Sequence, residues 1–214
     1  MSCIAVIDYG MGNLRSVAKG LERVGCQTCV TDKPSEVIAA AGVVLPGVGA
    51  FPECMKNLRE RGLVEPVLEV IERGTPFLGI CLGYQLLFEG SEEFGGSEGL
   101  AIIPGWVRRF SQGEGIKVPH MGWNAVRWGA PSPLFEGVPD ESFFYFVHSF
   151  YPVPQDRSRV TGWTDYPDSF AASIQKGNLL GCQFHPEKSQ RWGLKILENF
   201  CRLVGSKDIL SVMN

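Results

Sequence analysis

Unbroken apolar runs alternate with apolar positions spaced three or four apart along the first half of the chain. Cys3 to Asp8 reads as a short apolar strand. Leu14, Val17, Leu21 and Val24 then recur at helical spacing behind Asn13, a residue type suited to cap a helix N-terminus. Thr28 to Thr31 is a second strand, and "PSEVIAAA" opens a helix at Ser35. "GVVLPG" is a third strand, followed by helical segments from Phe51 to Arg73. "TPFLGI" gives a fourth strand, and Leu82 to Glu89 a helix. Strands that are apolar throughout, with helices between them, predict a parallel sheet covered on both faces.

The pattern changes after "SEEFGGSEGL". Trp106–Phe110, Asn124–Trp128, Phe143–Tyr151, Arg159–Thr164 and Phe170–Gln175 are strand-like and divided by Gly, Pro, Asp and Ser turns. "NLLGCQFHPE" reads as a late strand ending in polar residues. "WGLKILENFCRLV" carries a helical stripe of Leu194, Leu197, Phe200, Cys201 and Val204. There is no repeat and no linker-like segment. The expectation is one α/β domain over residues 1–214, with a mainly parallel sheet, helices on both faces and an antiparallel-rich second half.

Composition excludes several classes. With 214 residues, 44% of them apolar, the chain can bury a sizeable core. Its formal charge is −3 and no run of five like charges occurs, so nucleic-acid binding is not expected. No apolar segment approaches the roughly 18 residues of a membrane span, and no signal peptide is visible at the N-terminus. Seven scattered cysteines fit free thiols in a reducing compartment better than a disulfide framework, so a cytoplasmic location is expected.

One of those cysteines stands out. "Gly79-Ile80-Cys81-Leu82-Gly83" has the form of a nucleophile elbow between an apolar strand and a helix. A strand-to-helix turn that sharp strains the central residue and demands small neighbours. The start of the following helix also favours thiolate over thiol. The competing reading is a buried apolar cysteine beside incidental glycines. A thiolate needs a proton acceptor that later protonates the leaving group. Among His120, His148 and His185, the last follows an apolar strand in "GCQFHPE". In a parallel sheet Cys81 and His185 would meet at the edge formed by strand C-terminal ends. Glu187 could turn back to orient the imidazole and favour its charged form. "VVLPGVGAF" supplies a second loop with a bare backbone. Amides near Val48 and Gly49, with that of Leu82, are the expected oxyanion donors. Such chemistry calls for no cofactor and no metal.

Other motifs carry less. "Cys26-Gln27-Thr28-Cys29" has the form of a dithiol motif, but it enters a strand rather than a helix and has no second pair for a zinc site. "DYGMGN" and "PGVGAF" lack the third glycine of a dinucleotide fingerprint. His148 lies in the aromatic stretch "FFYFVHSFY", where a satisfied, half-buried histidine is expected rather than a second base. "PHMGWNAVRW" reads either as a core strand or as a partner-facing patch.

On "IDYGMGNLRSV", "LPGVGAF", "GICLGYQLLF", "PHMGWN", "FVHSFY" and "FHPEKS", in that order, the whole chain resembles the triad (class I) glutamine amidotransferases. "PHMGWN" and "HPEKS" bring it closest to the glutaminase subunits of imidazole glycerol phosphate synthase, in histidine biosynthesis. The resemblance implies that Cys81, His185 and Glu187 form the triad. It also implies that Gly47, Gly49, Gln85, Glu93, Ser149 and Phe150 contact the amino-acid end of L-glutamine. A separate (β/α)8 cyclase is the implied partner in a heterodimer, receiving ammonia to make imidazole glycerol phosphate and aminoimidazole carboxamide ribonucleotide. It favours the patch reading for Met121, Gly122, Trp123 and Asn124, with Asn13 and Lys188 near the same edge. Two alternatives stay open: a related amidotransferase, such as one for sugar amidination, and a docking module without activity.

Overall fold

The computed structural model describes residues 3–111 and 117–205. Its first half alternates as the apolar pattern requires: β1 (Cys3–Ile7), α1 (Leu14–Arg23), β2 (Gln27–Thr31), α2 (Pro34–Ala39), β3 (Gly42–Gly47), α3 (Phe51–Glu60), α4 (Val64–Glu72) and β4 (Phe77–Cys81). A short helix α5 (Leu82–Gln85) follows, then β5 (Phe88–Ser91), β6 (Ser97–Glu98), β7 (Ile103–Arg109), β8 (His120–Trp128), β9 (Ser142–His148) and β10 (Phe150–Pro154). The described residues end with β11 (Val160–Asp165), β12 (Ser169–Lys176), β13 (Leu179–Cys182) and α6 (Gln190–Gly205).

Nine strands form one sheet in the order β2-β1-β3-β4-β13-β12-β11-β8-β9. The pairs from β2 to β13 are parallel, and those from β13 to β9 antiparallel. The mixed α/β architecture read from the sequence is therefore the one observed. Alternation along β1 shows how the sheet is covered. Ile4 and Val6 pack with α1 and α6, whereas Ala5 and Ile7 pack with α2, α3 and α4. Both faces are buried, which is why these strands read as continuous apolar runs.

Two sequence expectations are corrected. The helix expected over Leu82–Glu89 ends after Gln85, and Phe88–Ser91 is a strand. It belongs to a second, four-stranded sheet, β10-β7-β5-β6, that the pattern did not indicate. Burial of Leu86, Leu87 and Phe88 against this sheet overrides the helical spacing. The single strand expected over Phe143–Tyr151 breaks after His148, because β9 pairs with β8 in the large sheet and β10 with β7 in the small one.

Candidate active site

Parallel pairing sets Gly47 beside Cys81 and Cys182 beside Ile80. The ends of β3, β4 and β13 therefore bring Gly47, Cys81 and the segment after Cys182 to one sheet edge, where such folds bind ligands. Cys81 takes φ 54° and ψ −111°, in the half of backbone space that residues with a Cβ seldom enter, at a cost of about 1–3 kcal/mol. A Cβ on Gly83 would collide with the Leu45 carbonyl, and one on Gly79 would lie 2.9 Å from the Gly83 carbonyl oxygen. Glycines flank the cysteine because the turn leaves no room for anything larger. Helix α5 is only 4 residues long. Its macrodipole is correspondingly small, and the unsatisfied amides of its first turn supply the local positive potential.

His185 Nδ1 donates to Glu187 Oε1 at 2.9 Å, with side chains 2% and 1% exposed. That bond leaves Nε2 to act as acid and base. Among the described residues Nε2 has no hydrogen-bond partner of standard geometry, yet the Cys81 sulfur acts on the ring strongly. The relation between them is a close electrostatic one rather than a well-aligned bond in this state. Burial pulls the imidazolium down, but the Cys81 sulfur and then Glu187 outweigh it and raise the His185 pKa to about 10. The loop is pinned on both sides. His185 N–H donates to the Tyr145 carbonyl at 2.9 Å, and Ser189 Oγ–H donates to the His185 carbonyl at 2.6 Å.

A cavity of about 320 Å³ opens at this edge, lined by Cys81 and His185 together with Val48, Gly49, Leu82, Gln85, Glu93, Ser149 and Phe150. Volume alone would point elsewhere, because a shallower depression of about 860 Å³ lies beside Arg23 and Trp192. Chemistry chooses the smaller one, which holds the thiol and the imidazole. Gly47 is absent from that wall. A Cβ there would lie 2.6 Å from the Gly83 amide nitrogen, so Gly47 makes room for the elbow. Glu93 Oε2 accepts from the Phe51 amide at 2.8 Å, which ties the glutamate to the start of α3.

A line of hydrogen bonds runs inward from Gln85 and His148 at the cavity wall. The Phe150 carbonyl accepts from Gln85 Nε2 at 2.8 Å and from His148 Nδ1 at 2.8 Å. His148 Nε2 accepts from His120 Nδ1 at 3.1 Å, and His120 Nε2 accepts from Asn124 Nδ2 at 3.2 Å. Burial lowers the His148 pKa to about 3 and that of His120 to about 4, so both rings are neutral. With both nitrogens engaged, His148 is the satisfied histidine expected of it. The signal for this network was a polar residue inside an aromatic strand; its partners were not legible.

Alternation along β8 buries one face of "PHMGWNAVRW" and exposes the other. His120 and Val126 are buried, while Met121 is 66% and Trp123 45% exposed. The Trp123 ring lies 6.2 Å from that of Tyr145, and Lys188 Nζ stands 5.7 Å over the Tyr145 ring. Met121, Trp123 and Lys188 thus face solvent close to His185, with Gly122 and Asn124 half-buried between them. Asn13 stands at the N-cap position of α1, but its side chain makes no capping bond.

The expectation of free thiols needs one correction. Cys26 and Cys201 are joined by a disulfide across a sequence separation of 175. Cys3, Cys29, Cys54, Cys81 and Cys182 are free. Burial, then Cys3, pushes the Cys29 thiol up to about 11, the opposite of an activated dithiol. Among the described residues no helix is long and apolar enough to cross a membrane.

Residues 5–204 match the glutamine amidotransferase class-I family model. The chain is 59% identical over 204 residues to imidazole glycerol phosphate synthase subunit HisH of Moorella thermoacetica, covering 95% of this chain and 96% of that one. It is 55% identical over 202 residues to the subunit of the same name in Syntrophotalea carbinolica, at 92% and 98% coverage. For that of Geobacter sulfurreducens the identity is 53% over 205 residues, at 94% and 98%. Among solved structures, PurLQS from Thermotoga maritima superposes with TM-score 0.75 at 18% identity, covering 94% of this chain and 98% of that one. A structure described as a glutamine amidotransferase gives TM-score 0.71 at 20% identity, covering 95% and 99%. At such identities the structures bear on the fold alone.

Proposed function

The chain belongs to the class-I glutamine amidotransferase family, and from that premise we propose the following function for the whole of residues 1–214. It is the glutaminase subunit of an imidazole glycerol phosphate synthase in histidine biosynthesis, hydrolysing L-glutamine to glutamate and ammonia. Relatives at 53% to 59% identity over nearly the full length are named imidazole glycerol phosphate synthase subunit HisH. They favour this pathway over sugar amidination. A docking module without activity is disfavoured by the intact cysteine, histidine and glutamate. The observation that carries the chemistry is a strained thiol and a carboxylate-held imidazole facing one cavity at the sheet edge.

In this mechanism the Cys81 thiolate attacks the carboxamide carbon of glutamine. The oxyanion is held by the Leu82 amide and by amides of the Val48–Gly49 loop. His185 Nε2 protonates the departing ammonia, leaving a γ-glutamyl thioester. Water, deprotonated by the same nitrogen, releases glutamate and regenerates the thiolate. Gln85, Glu93, Ser149, Phe150 and the backbone at Gly49 hold the amino-acid end of the substrate, and Gly47 supports the turn beneath them.

Ammonia then passes to a (β/α)8 cyclase, the partner in a heterodimer, which makes imidazole glycerol phosphate and aminoimidazole carboxamide ribonucleotide. Met121, Gly122, Trp123, Asn124, Asn13 and Lys188 form the docking face. An exposed tryptophan and methionine side by side have the composition of an interface core. The test is Cys81→Ala, assayed alone and with the cyclase and its nucleotide. Glutamine hydrolysis should vanish while ammonia-driven synthesis by the complex persists. Retained glutamine turnover in that variant would falsify the assignment.

A further inference from the structure

A buried amide is aimed at the nucleophile from a residue outside the triad. Gln183 is 0% exposed, and the register of β13 against β4 sets it beside Cys81. Its Nε2 lies 3.6 Å from Cys81 Sγ. Which end of an amide is nitrogen must be argued from its partners, and here they allow one answer. The Phe150 carbonyl can only accept, so the Gln85 atom 2.8 Å from it is Nε2. That same nitrogen lies 2.9 Å from the Gln183 side chain, so the Gln183 atom there is the acceptor Oε1. The group left against the sulfur is therefore the NH2.

An N–H facing a neutral thiol contributes little, whereas the same N–H facing a thiolate forms a charge-assisted bond. Cys81 is only 5% exposed, so few waters can solvate its charge. Gln183 supplies a fixed donor in their place, and it cannot rotate away while Gln85, itself anchored on the Phe150 carbonyl, donates to its oxygen.

We propose that Gln183 is a catalytic residue: its side-chain N–H donates to Cys81 Sγ and stabilises the thiolate, both before attack and as the thioester releases it. The Gln183 proton stays on nitrogen throughout, and His185 does the proton transfer. The inference rests on Cys81 being the nucleophile of the proposed function.

Gln183→Met keeps the length and removes the donor. In the full-length chain, alkylation of Cys81 by iodoacetamide, followed by mass spectrometry across pH, should show its midpoint raised by about one unit. With the cyclase bound, kcat should fall about tenfold with the KM for glutamine little changed. A folded Gln183→Met protein with the wild-type midpoint and kcat overturns the proposal. Should that variant not fold, the wild-type protein answers by NMR with 15N-labelled glutamine. The Gln183 side-chain amide signals should titrate with the alkylation midpoint and cease to do so in Cys81→Ala. Signals indifferent to Cys81 ionisation overturn the proposal. If Cys81→Ala still turned over glutamine, the fault would lie with the functional reading instead.

Discussion

His185 is charged at neutral pH because its neighbours outweigh its burial. Its pKa stands near 10, held there first against desolvation by the Cys81 sulfur and then by Glu187. A group whose pKa is raised on folding stabilises the native state fully below its unfolded value, about 6.5. That contribution is lost as pH rises through the folded value. Glu187→Gln keeps the shape and removes the charge. It should shift the alkaline limb of the glutaminase pH profile downward and reduce kcat by roughly 10²–10⁴-fold, as for carboxylates that orient a catalytic histidine. A pH–rate profile on the complex measures both. An alkaline limb that stays in place would show that Glu187 does not set the histidine's charge. At this scale much was legible: "HPE" after an apolar strand names the imidazole and its carboxylate together. Gln183 was not, since its role depends on a neighbouring strand and on Gln85, far away in the chain.

At the scale of elements, the elbow is set by three strands rather than by its own five residues. Gly83 lies so close to the Leu45 carbonyl on β3 that any side chain must push the two apart. Gly83→Ala should therefore destabilise the fold by about 1–3 kcal/mol, a fall of several degrees in Tm. Glutamine hydrolysis should fall further than stability does, because Cys81 moves with the turn. Calorimetry beside a glutaminase assay separates the two effects, and unchanged Tm and rate would refute the steric account. The alternating apolar pattern located β1, β3, β4 and their helices, because strands buried on both faces leave a plain signature. It failed at Leu82–Glu89. There a helix-like spacing is cut short by a second sheet whose strands lie far apart in sequence.

Over the whole molecule, the proposed docking face and the cavity share the end of the large sheet where β8 and β9 meet the His185 loop. Tyr145 links them, since its carbonyl accepts from His185 N–H and its ring touches both Trp123 and Lys188. Trp123 is 45% exposed and supports little of the core. Trp123→Ala should leave Tm nearly unchanged and weaken cyclase binding by about 2 kcal/mol, with a loss of partner-stimulated glutaminase. Titration calorimetry against the cyclase, beside turnover with its nucleotide, is the measurement. Full affinity and full coupling in the variant would remove Trp123 from the interface.

The sequence by itself determined the fold class and pointed to the cysteine and the histidine that share one cavity, because each leaves a local trace. Doubly buried strands are apolar throughout, a forced turn demands glycine on both sides, and the carboxylate that holds His185 stands only two residues on. Tertiary structure decided the rest. The pairing of Cys26 with Cys201, the second sheet, and the hydrogen bonds that join Asn124, His120, His148, Phe150, Gln85 and Gln183 all bring together residues remote in the chain. No local pattern encodes such meetings, since only the register of the strands sets which side chains face each other.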